Sequence, residues 1–192
     1  MIRIKCFLIC VFLSVIAVAQ TATDFTTDDC NSVSHNLFDS LDVGNVIVMA
    51  WVMPCAPCAT YASYAYSAVQ SFSISHPEMV DFYLVDDYAN TSCAGLVNWG
   101  SSNNMPLSTV FSSAVISMSD YGAIGMPKVV VLGSDYSIYY NENSPNIDFD
   151  GVQSSIADAL SIPSNIHEQQ ESDFSLSAFP NPANGLLNIK YE

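Results

Sequence analysis

The chain has 192 residues, 50% of them hydrophobic, and its formal net charge is −15 at pH 7. This length and apolar content allow one folded domain with a short appendage and exclude a disordered chain. The negative charge excludes nucleic acid and anionic lipid as favourable partners, because both repel an acidic surface.

Residues 1–19 have the pattern of a secretory signal peptide. Arg3 and Lys5 precede an apolar run that only Ser14 interrupts and that closes with small residues. The run is too short for a membrane-spanning helix, which needs about 20 apolar residues. We therefore predict cleavage near Ala19-Gln20 and an exported protein, periplasmic, on the cell surface or secreted, with no membrane insertion after cleavage. An uncleaved N-terminal anchor is the alternative.

Strand-like and helix-like patterns alternate along the mature chain. Extended pieces are expected on both sides of the polar stretch 27–32, as an N-terminal β extension. Residues 45–52 are almost all apolar and rich in β-branched side chains, which is typical of a central strand buried on both faces. The other predicted elements are a helix from Cys55 that ends before His76, a strand at 80–85, a helix at 93–99, strands at 129–132 and 137–140, and a helix at 150–160. This order predicts an α/β domain over residues 20–161, with a central mixed β-sheet flanked by helices.

Four cysteines remain in the mature chain once Cys6 and Cys10 have left with the signal peptide. They are Cys30, Cys55, Cys58 and Cys93. Outside the cytosol thiols tend to pair, so the even number favours two disulfides. Cys55 with Cys58 and Cys30 with Cys93, the second as a structural bridge, is the natural assignment, although the spacing leaves the other two connectivities open.

The Cys55-Ala56-Pro57-Cys58 pair lies at the predicted junction between the buried strand and a helix. Unpaired N–H groups and the dipole at a helix N-terminus favour a thiolate over a thiol. Cys55 is therefore the predicted nucleophile, which forms a mixed disulfide with a partner, and the more buried Cys58 resolves it. The same pair, working in reverse, oxidises the thiols of a partner.

Two other roles for this pair fit the residues less well. A zinc site needs a second close pair of ligands, but Cys30 and Cys93 are single and the three histidines are dispersed. A purely structural disulfide across so small a loop would add little constraint to the unfolded chain. We therefore predict no metal and no cofactor.

Three stretches carry a resemblance to a known family. Asp24-Phe25-Thr26, residues 41–48 and Trp51-Val52-Met53-Pro54-Cys55-Ala56-Pro57-Cys58 resemble the start of the TlpA-type thioredoxin-like reductases of bacterial envelopes, which are related to the AhpC/TSA branch. Gly125-Met126-Pro127 resembles the cis-proline loop of that superfamily. The resemblance covers residues 24–161. It implies a thioredoxin-like fold and a thiol-disulfide oxidoreductase that acts on protein thiols and disulfides and exchanges electrons with an unknown redox partner.

The resemblance also implies a substrate-binding surface around the cysteines. Pro127 would be cis and lie against the cysteine pair, and the backbone of Met126 would offer hydrogen bonds to a bound polypeptide. A cis bond costs proline only about 0.5–1 kcal/mol, and proline leaves no N–H unpaired beside the sulfur. Trp51, Pro54 and Pro57 complete the predicted set. An ordinary trans proline at a strand start is the alternative for Pro127.

Some positions depart from the family pattern. Met49 and Tyr61 stand six residues before and after Cys55, where many members keep a buried carboxylate that moves the proton of the second cysteine. Lys128 is expected to be solvated. These departures leave open a redox-inactive secreted or surface binding module on the same fold. A peroxiredoxin-like peroxidase is disfavoured, because no arginine remains in the mature chain to hold peroxide.

The C-terminal part is predicted to be a linker followed by a short appendage. Residues 162–175 are polar and typical of a linker. Residues 179–189, FPNPANGLLNI, resemble the opening of the type A C-terminal sorting domain carried by cargo of the Bacteroidetes type IX secretion system. We interpret residues 176–192 as a truncated start of such a domain, with a polar turn rich in Pro, Asn and Gly as the alternative.

Overall fold

The computed structural model describes residues 21–162 and, as backbone, two short strands at 177–179 and 188–190. The first elements are β1 (Thr26–Asp28), β2 (Ser34–Asn36), α1 (Leu37–Asp42), β3 (Val46–Val52) and α2 (Ala56–Gln70). The next are β4 (Val80–Asp86), α3 (Cys93–Ser102), β5 (Thr109–Phe111) and a 3₁₀ helix (Met118–Tyr121). The last are β6 (Lys128–Leu132), β7 (Ile138–Asn143), α4 (Phe149–Leu160), β8 (Ser177–Phe179) and β9 (Asn188–Lys190).

Five strands form one mixed sheet in the order β5-β4-β3-β6-β7. β3, β4 and β5 run parallel, while β6 is antiparallel to β3 and β7 is antiparallel to β6. β3 is therefore the central strand, and all seven of its residues are buried. This confirms the predicted α/β architecture with its central strand at 45–52. β1 and β2 form a separate antiparallel pair, the predicted N-terminal extension.

Alternation along β3 divides the hydrophobic core between the two faces of the sheet. Val48 and Val52 face the larger cluster, which contains side chains of α2 and α4. Met49 and Trp51 face the second cluster, to which α1 contributes. Successive residues of a strand point to opposite faces, so a strand that is apolar throughout needs cover on both sides. The layers of helix and loop on each face supply that cover.

Side-chain caps define where the last two helices begin. At the start of α3, Ser92 Oγ accepts the N–H of Gly95 at 3.2 Å. At the start of α4, Asp148 Oδ1 accepts the N–H of Gly151 at 2.7 Å. These caps satisfy N–H groups that have no partner within the helix. Both helices therefore begin within one residue of their predicted starts.

The structure also contains three short elements that the hydrophobic patterns do not predict. α1 has six residues, β5 has three and the 3₁₀ helix has four, and segments of this length are too short for a hydrophobic period to show. α2 ends at Gln70. The helix is predicted to continue almost to His76, but residues 71–75 form turns that follow α2.

Parts of the predicted domain organisation lie outside the described residues. These parts are the signal peptide at 1–19 and the linker beyond residue 162. Within the appendage, the backbones of β8 and β9 pair antiparallel. The domain boundaries stay predictions. No helix in the described part of the chain has both the length and the apolar composition needed to cross a bilayer.

Candidate active site

The CxxC segment joins the end of β3 to the start of α2. Val52 is the last residue of β3, and Cys55 is the N-cap of α2, with an extended backbone at φ −139° and ψ 160°. The Cys55 side chain makes no capping hydrogen bond. Pro57 stands in the first turn of α2, where its missing N–H removes no helical hydrogen bond. Cys55 therefore lies at the positive end of the helix dipole.

The two sulfurs of this segment lie close together and differ in exposure. Cys55 Sγ and Cys58 Sγ are 2.8 Å apart. Cys58 is 1% exposed, whereas Cys55 is half-buried. Burial raises the pKa of the Cys58 thiol to about 11, and the hydrogen bond between the two sulfurs acts in the same direction. Cys55 is therefore the sulfur that a second protein can reach, and Cys58 is the protonated one behind it.

The loop before β6 brings a proline to the end of β3. The Met126-Pro127 peptide bond is cis, which confirms the expectation from the family resemblance. Lys128, the next residue, pairs with Trp51 in the sheet, so Pro127 lies one residue beyond the last pair of β3 and β6. Met126 is half-buried and Pro127 is buried. Gly125 is needed here because a Cβ would lie 2.7 Å from Asn143 Cγ.

Trp51 does not belong to the accessible surface of the site. Its side chain is 0% exposed, its Nε1–H donates to Ile116 O at 3.1 Å, and its ring packs against Tyr121 with centroids 5.3 Å apart. The sequence-based expectation that Trp51 contacts a substrate is therefore corrected. The odd positions of β3 face the second core cluster. Trp51 therefore packs in the core, where it contacts the segment that precedes β6 through Ile116 and Tyr121.

The expectation of a solvated lysine beside the proline is wrong. Lys128 is 2% exposed, and its Nζ donates to Ala123 O at 3.2 Å. Burial lowers the pKa of Lys128, and the charge of Glu142 opposes that shift. Lys128 is the first residue of β6, so its side chain leaves the sheet on the same face as Val130 and is covered there.

A carboxylate reaches the neighbourhood of the cysteines from β4. β3 and β4 end side by side, since Val52 pairs with Asp86, and Asp87 N–H donates to Val52 O at 3.1 Å. The negative charge of Asp87 contributes to the raised pKa of Cys58. Burial, together with the charge of Asp86, raises the pKa of Asp87 itself. The family pattern places a carboxylate at the positions of Met49 and Tyr61, so Asp87 was not predicted, although two acids end the apolar run of β4.

Asp86 holds the loop that follows β4. Its side chain is 1% exposed, and Oδ2 accepts the N–H groups of Asn90 at 2.6 Å and Thr91 at 3.0 Å. Among the described residues its other oxygen, Oδ1, has no hydrogen-bond partner. A buried carboxylate with two backbone donors fixes the loop. The position of Asp87 beside Val52 is thereby stabilised.

The other two cysteines of the described residues form a disulfide. Cys30 and Cys93 are 63 residues apart in the chain, with Cα atoms 5.2 Å apart. The bridge joins the turn between β1 and β2 to the first residue of α3. Of the other predicted substrate-binding residues, Pro54 is half-buried and Pro57 is exposed. In residues 21–162 no three His, Cys, Asp or Glu side chains form a group that could hold a metal ion.

Comparisons with known proteins give matches among solved structures. No protein-family model matches the chain, and no curated protein matches it. A thioredoxin-family thiol:disulfide interchange protein from Chlorobium tepidum TLS is 12% identical, with a TM-score of 0.58 over 75% of this chain and 98% of that one. A thiol:disulfide interchange protein from Bacteroides sp. is 13% identical, with a TM-score of 0.58 over 80% of this chain and 97% of that one.

A third similar structure is a secreted disulfide oxidoreductase from Mycobacterium tuberculosis, homologous to DsbE of E. coli. It is 16% identical, with a TM-score of 0.53 over 70% of this chain and 95% of that one. Identities of this size establish the fold and nothing finer. The chain has the thioredoxin-like fold that the family resemblance implied.

Proposed function

We propose that this protein is an exported thiol-disulfide oxidoreductase that exchanges disulfides with protein substrates through Cys55 and Cys58. The observation that carries the proposal is the pair of sulfurs at the start of α2, 2.8 Å apart, one half-buried and the other 1% exposed. The solved structures with this fold include proteins named as thiol:disulfide interchange proteins, which adds support.

Reduction of a partner proceeds in two displacements. The Cys55 thiolate attacks one sulfur of the partner's disulfide, whose S–S bond breaks, and the other partner sulfur leaves as a thiolate that takes up a proton. Cys58 then gives up its proton and attacks Cys55 Sγ, and the second partner thiol is released. The partner gains two electrons and the Cys55–Cys58 disulfide forms. A dithiol donor must reduce this disulfide before the next cycle, and the reverse sequence oxidises partner thiols.

Export is the second part of the proposal. The pattern of residues 1–19 predicts a signal peptide. The Cys30–Cys93 disulfide fits an oxidising compartment, since such bridges are rare in the cytosol. The resemblance of residues 179–189 to a type IX sorting domain suggests the export route. Cell fractionation followed by mass spectrometry tests this part: we expect the protein outside the cytosol with its N-terminus near Gln20, and recovery of the protein from the cytosol alone would contradict it.

Insulin reduction with dithiothreitol tests the activity. We expect the wild-type protein to accelerate precipitation of the insulin B chain and Cys55→Ser to leave it at the rate of dithiothreitol alone. The double variant Cys30→Ala/Cys93→Ala serves as the control, because it removes the other two cysteines and keeps the CxxC pair. Equal rates for wild type and Cys55→Ser, with both proteins folded by circular dichroism, would instead favour the redox-inactive binding module.

A further inference from the structure

Four loops at one edge of the central sheet carry exposed apolar side chains. At this edge β3, β4 and β5 end and β6 begins, and Cys55 follows β3 there. Met53 follows β3, Tyr88 follows β4, Val115 lies beyond β5 and Ile124 precedes β6. These side chains are 50%, 68%, 55% and 61% exposed, respectively. We call this set the apolar rim.

Two of the four loops of the apolar rim, those of Val115 and Tyr88, are held by hydrogen bonds to β3. Next to Val115, Ile116 O accepts the indole N–H of Trp51 at 3.1 Å. Next to Tyr88, Asp87 N–H donates to Val52 O at 3.1 Å. A surface fixed before binding loses little conformational entropy when a partner docks, so its apolar area contributes more fully to affinity. The apolar rim is therefore suited to bind apolar side chains beside a reacting cysteine.

The charged side chains around the apolar rim are acidic. Asp87 lies beside the end of β3, Asp120 is exposed in the 3₁₀ helix, and Glu142 lies near the end of β7. Lys128 is the one Lys or Arg between residues 21 and 162, and it is 2% exposed. The described surface of the domain thus has no Lys or Arg side chain to offset these carboxylates.

We propose that the partner segments which exchange with Cys55 are cationic and apolar, with Lys or Arg and a large apolar side chain near the reactive cysteine. The inference rests on the proposed function and adds the class of substrate. The apolar rim contacts the apolar side chain, and the carboxylates attract the basic ones. Acidic segments are repelled as they approach, since complementary charge chiefly raises the rate of association and suppresses partners of like charge.

The test uses three synthetic peptides and the reduced protein. Each peptide holds one intramolecular disulfide with a Leu beside it, and the peptides differ only in two flanking positions, occupied by Lys, Gln or Glu. The rate of disulfide reduction by the protein is measured after acid quenching. It is divided by the rate for the same peptide with dithiothreitol, which removes the effect of the flanking charges on the disulfide itself.

We expect the normalised rate of the Lys peptide to exceed that of the Glu peptide by at least about tenfold at low salt. The Gln peptide should lie between them. In 1 M salt, where the Debye length is about 3 Å, the difference should fall to about twofold or less. Equal normalised rates for the three peptides overturn the inference while leaving the oxidoreductase proposal intact. If the reduced protein does not reduce the Gln peptide and the oxidised protein does not oxidise the dithiol form of that peptide, the proposed function itself is overturned.

Matched variants locate the effect on the molecule. Asp120→Asn should lower the Lys-to-Glu ratio, whereas Asp158→Asn, an equal change of charge on the exposed face of α4, should leave it unchanged. Ile124→Ser should slow the peptides with Leu relative to peptides with Gly in its place. Ile74→Ser, at a 94% exposed side chain between α2 and β4, is its control. Equal effects of the two members of either pair would refute the assignment to this edge of the sheet.

Discussion

The high pKa of the Cys58 thiol predicts that the reduced protein loses stability in alkali. A thiol that is harder to ionise in the folded chain than in the unfolded chain keeps its proton longer in the folded state. The pKa of Cys58 rises from its ordinary value of 9.0, which applies to the unfolded chain, to about 11 in the folded chain. Between these values the unfolded chain loses its proton first, so the free energy of unfolding falls as pH rises. Below the lower value the contribution is fully present.

The size of this loss of stability follows from the difference between the two pKa values. One pKa unit corresponds to about 1.36 kcal/mol, so the full difference between the two pKa values corresponds to about 2.7 kcal/mol. The linkage relation gives a loss of about 2 kcal/mol between pH 8 and pH 10.5. This is a large fraction of the stability of an ordinary domain, which is about 5–15 kcal/mol.

Urea unfolding under reducing conditions, followed by circular dichroism at several pH values, measures this loss. Cys58→Ala is the matched variant, because it removes the thiol and keeps every tyrosine, including Tyr139, whose pKa burial raises to about 12. We expect the free energy of unfolding to fall more steeply for wild type than for the variant, by about 2 kcal/mol at pH 10.5. Parallel curves for the two proteins would refute the reasoning, since they would mean that Cys58 ionises equally easily in both states.

Further predictions concern the same cysteines and their neighbours. Cys58→Ser stops the reaction at the mixed disulfide with Cys55, so mass spectrometry of the quenched reaction finds a covalent adduct; no adduct would contradict the order of the steps. Asp87→Asn lowers the pKa of Cys58, because it removes a negative charge that opposes the thiolate; an unchanged or higher pKa in a titration of thiolate absorbance would contradict this. Cys30→Ala/Cys93→Ala lowers the free energy of unfolding by about 4 kcal/mol for a loop of this length; a loss below about 1 kcal/mol in urea unfolding would show that the bridge constrains little.

The parts of the fold that could be predicted are those with a local signal. The continuous apolar run of β3 indicated a strand buried on both faces, and the predicted start of α3 at Cys93 agrees with the structure. The CxxC pair is likewise recognisable from spacing alone. α1 and β5 have six and three residues, so no hydrophobic period could develop in them.

What the sequence could not indicate depends on contacts between distant segments. Asp87 reaches the site because β3 and β4 end in register, and no pattern within either strand fixes that register. Lys128 is buried because the 116–125 segment covers it, whereas a lysine is expected to be solvated. The burial of Trp51 also depends on a distant segment, because its hydrogen-bond partner Ile116 is 65 residues away in the chain.

The burial of Lys128 has a consequence for proteolysis. Between residues 21 and 162 an enzyme that cleaves after Lys or Arg has a single bond to attack, and that bond lies at the start of an inner strand of the sheet. The folded domain therefore resists trypsin-like enzymes. Cleavage of the domain into two fragments at this bond would show that the sheet has opened.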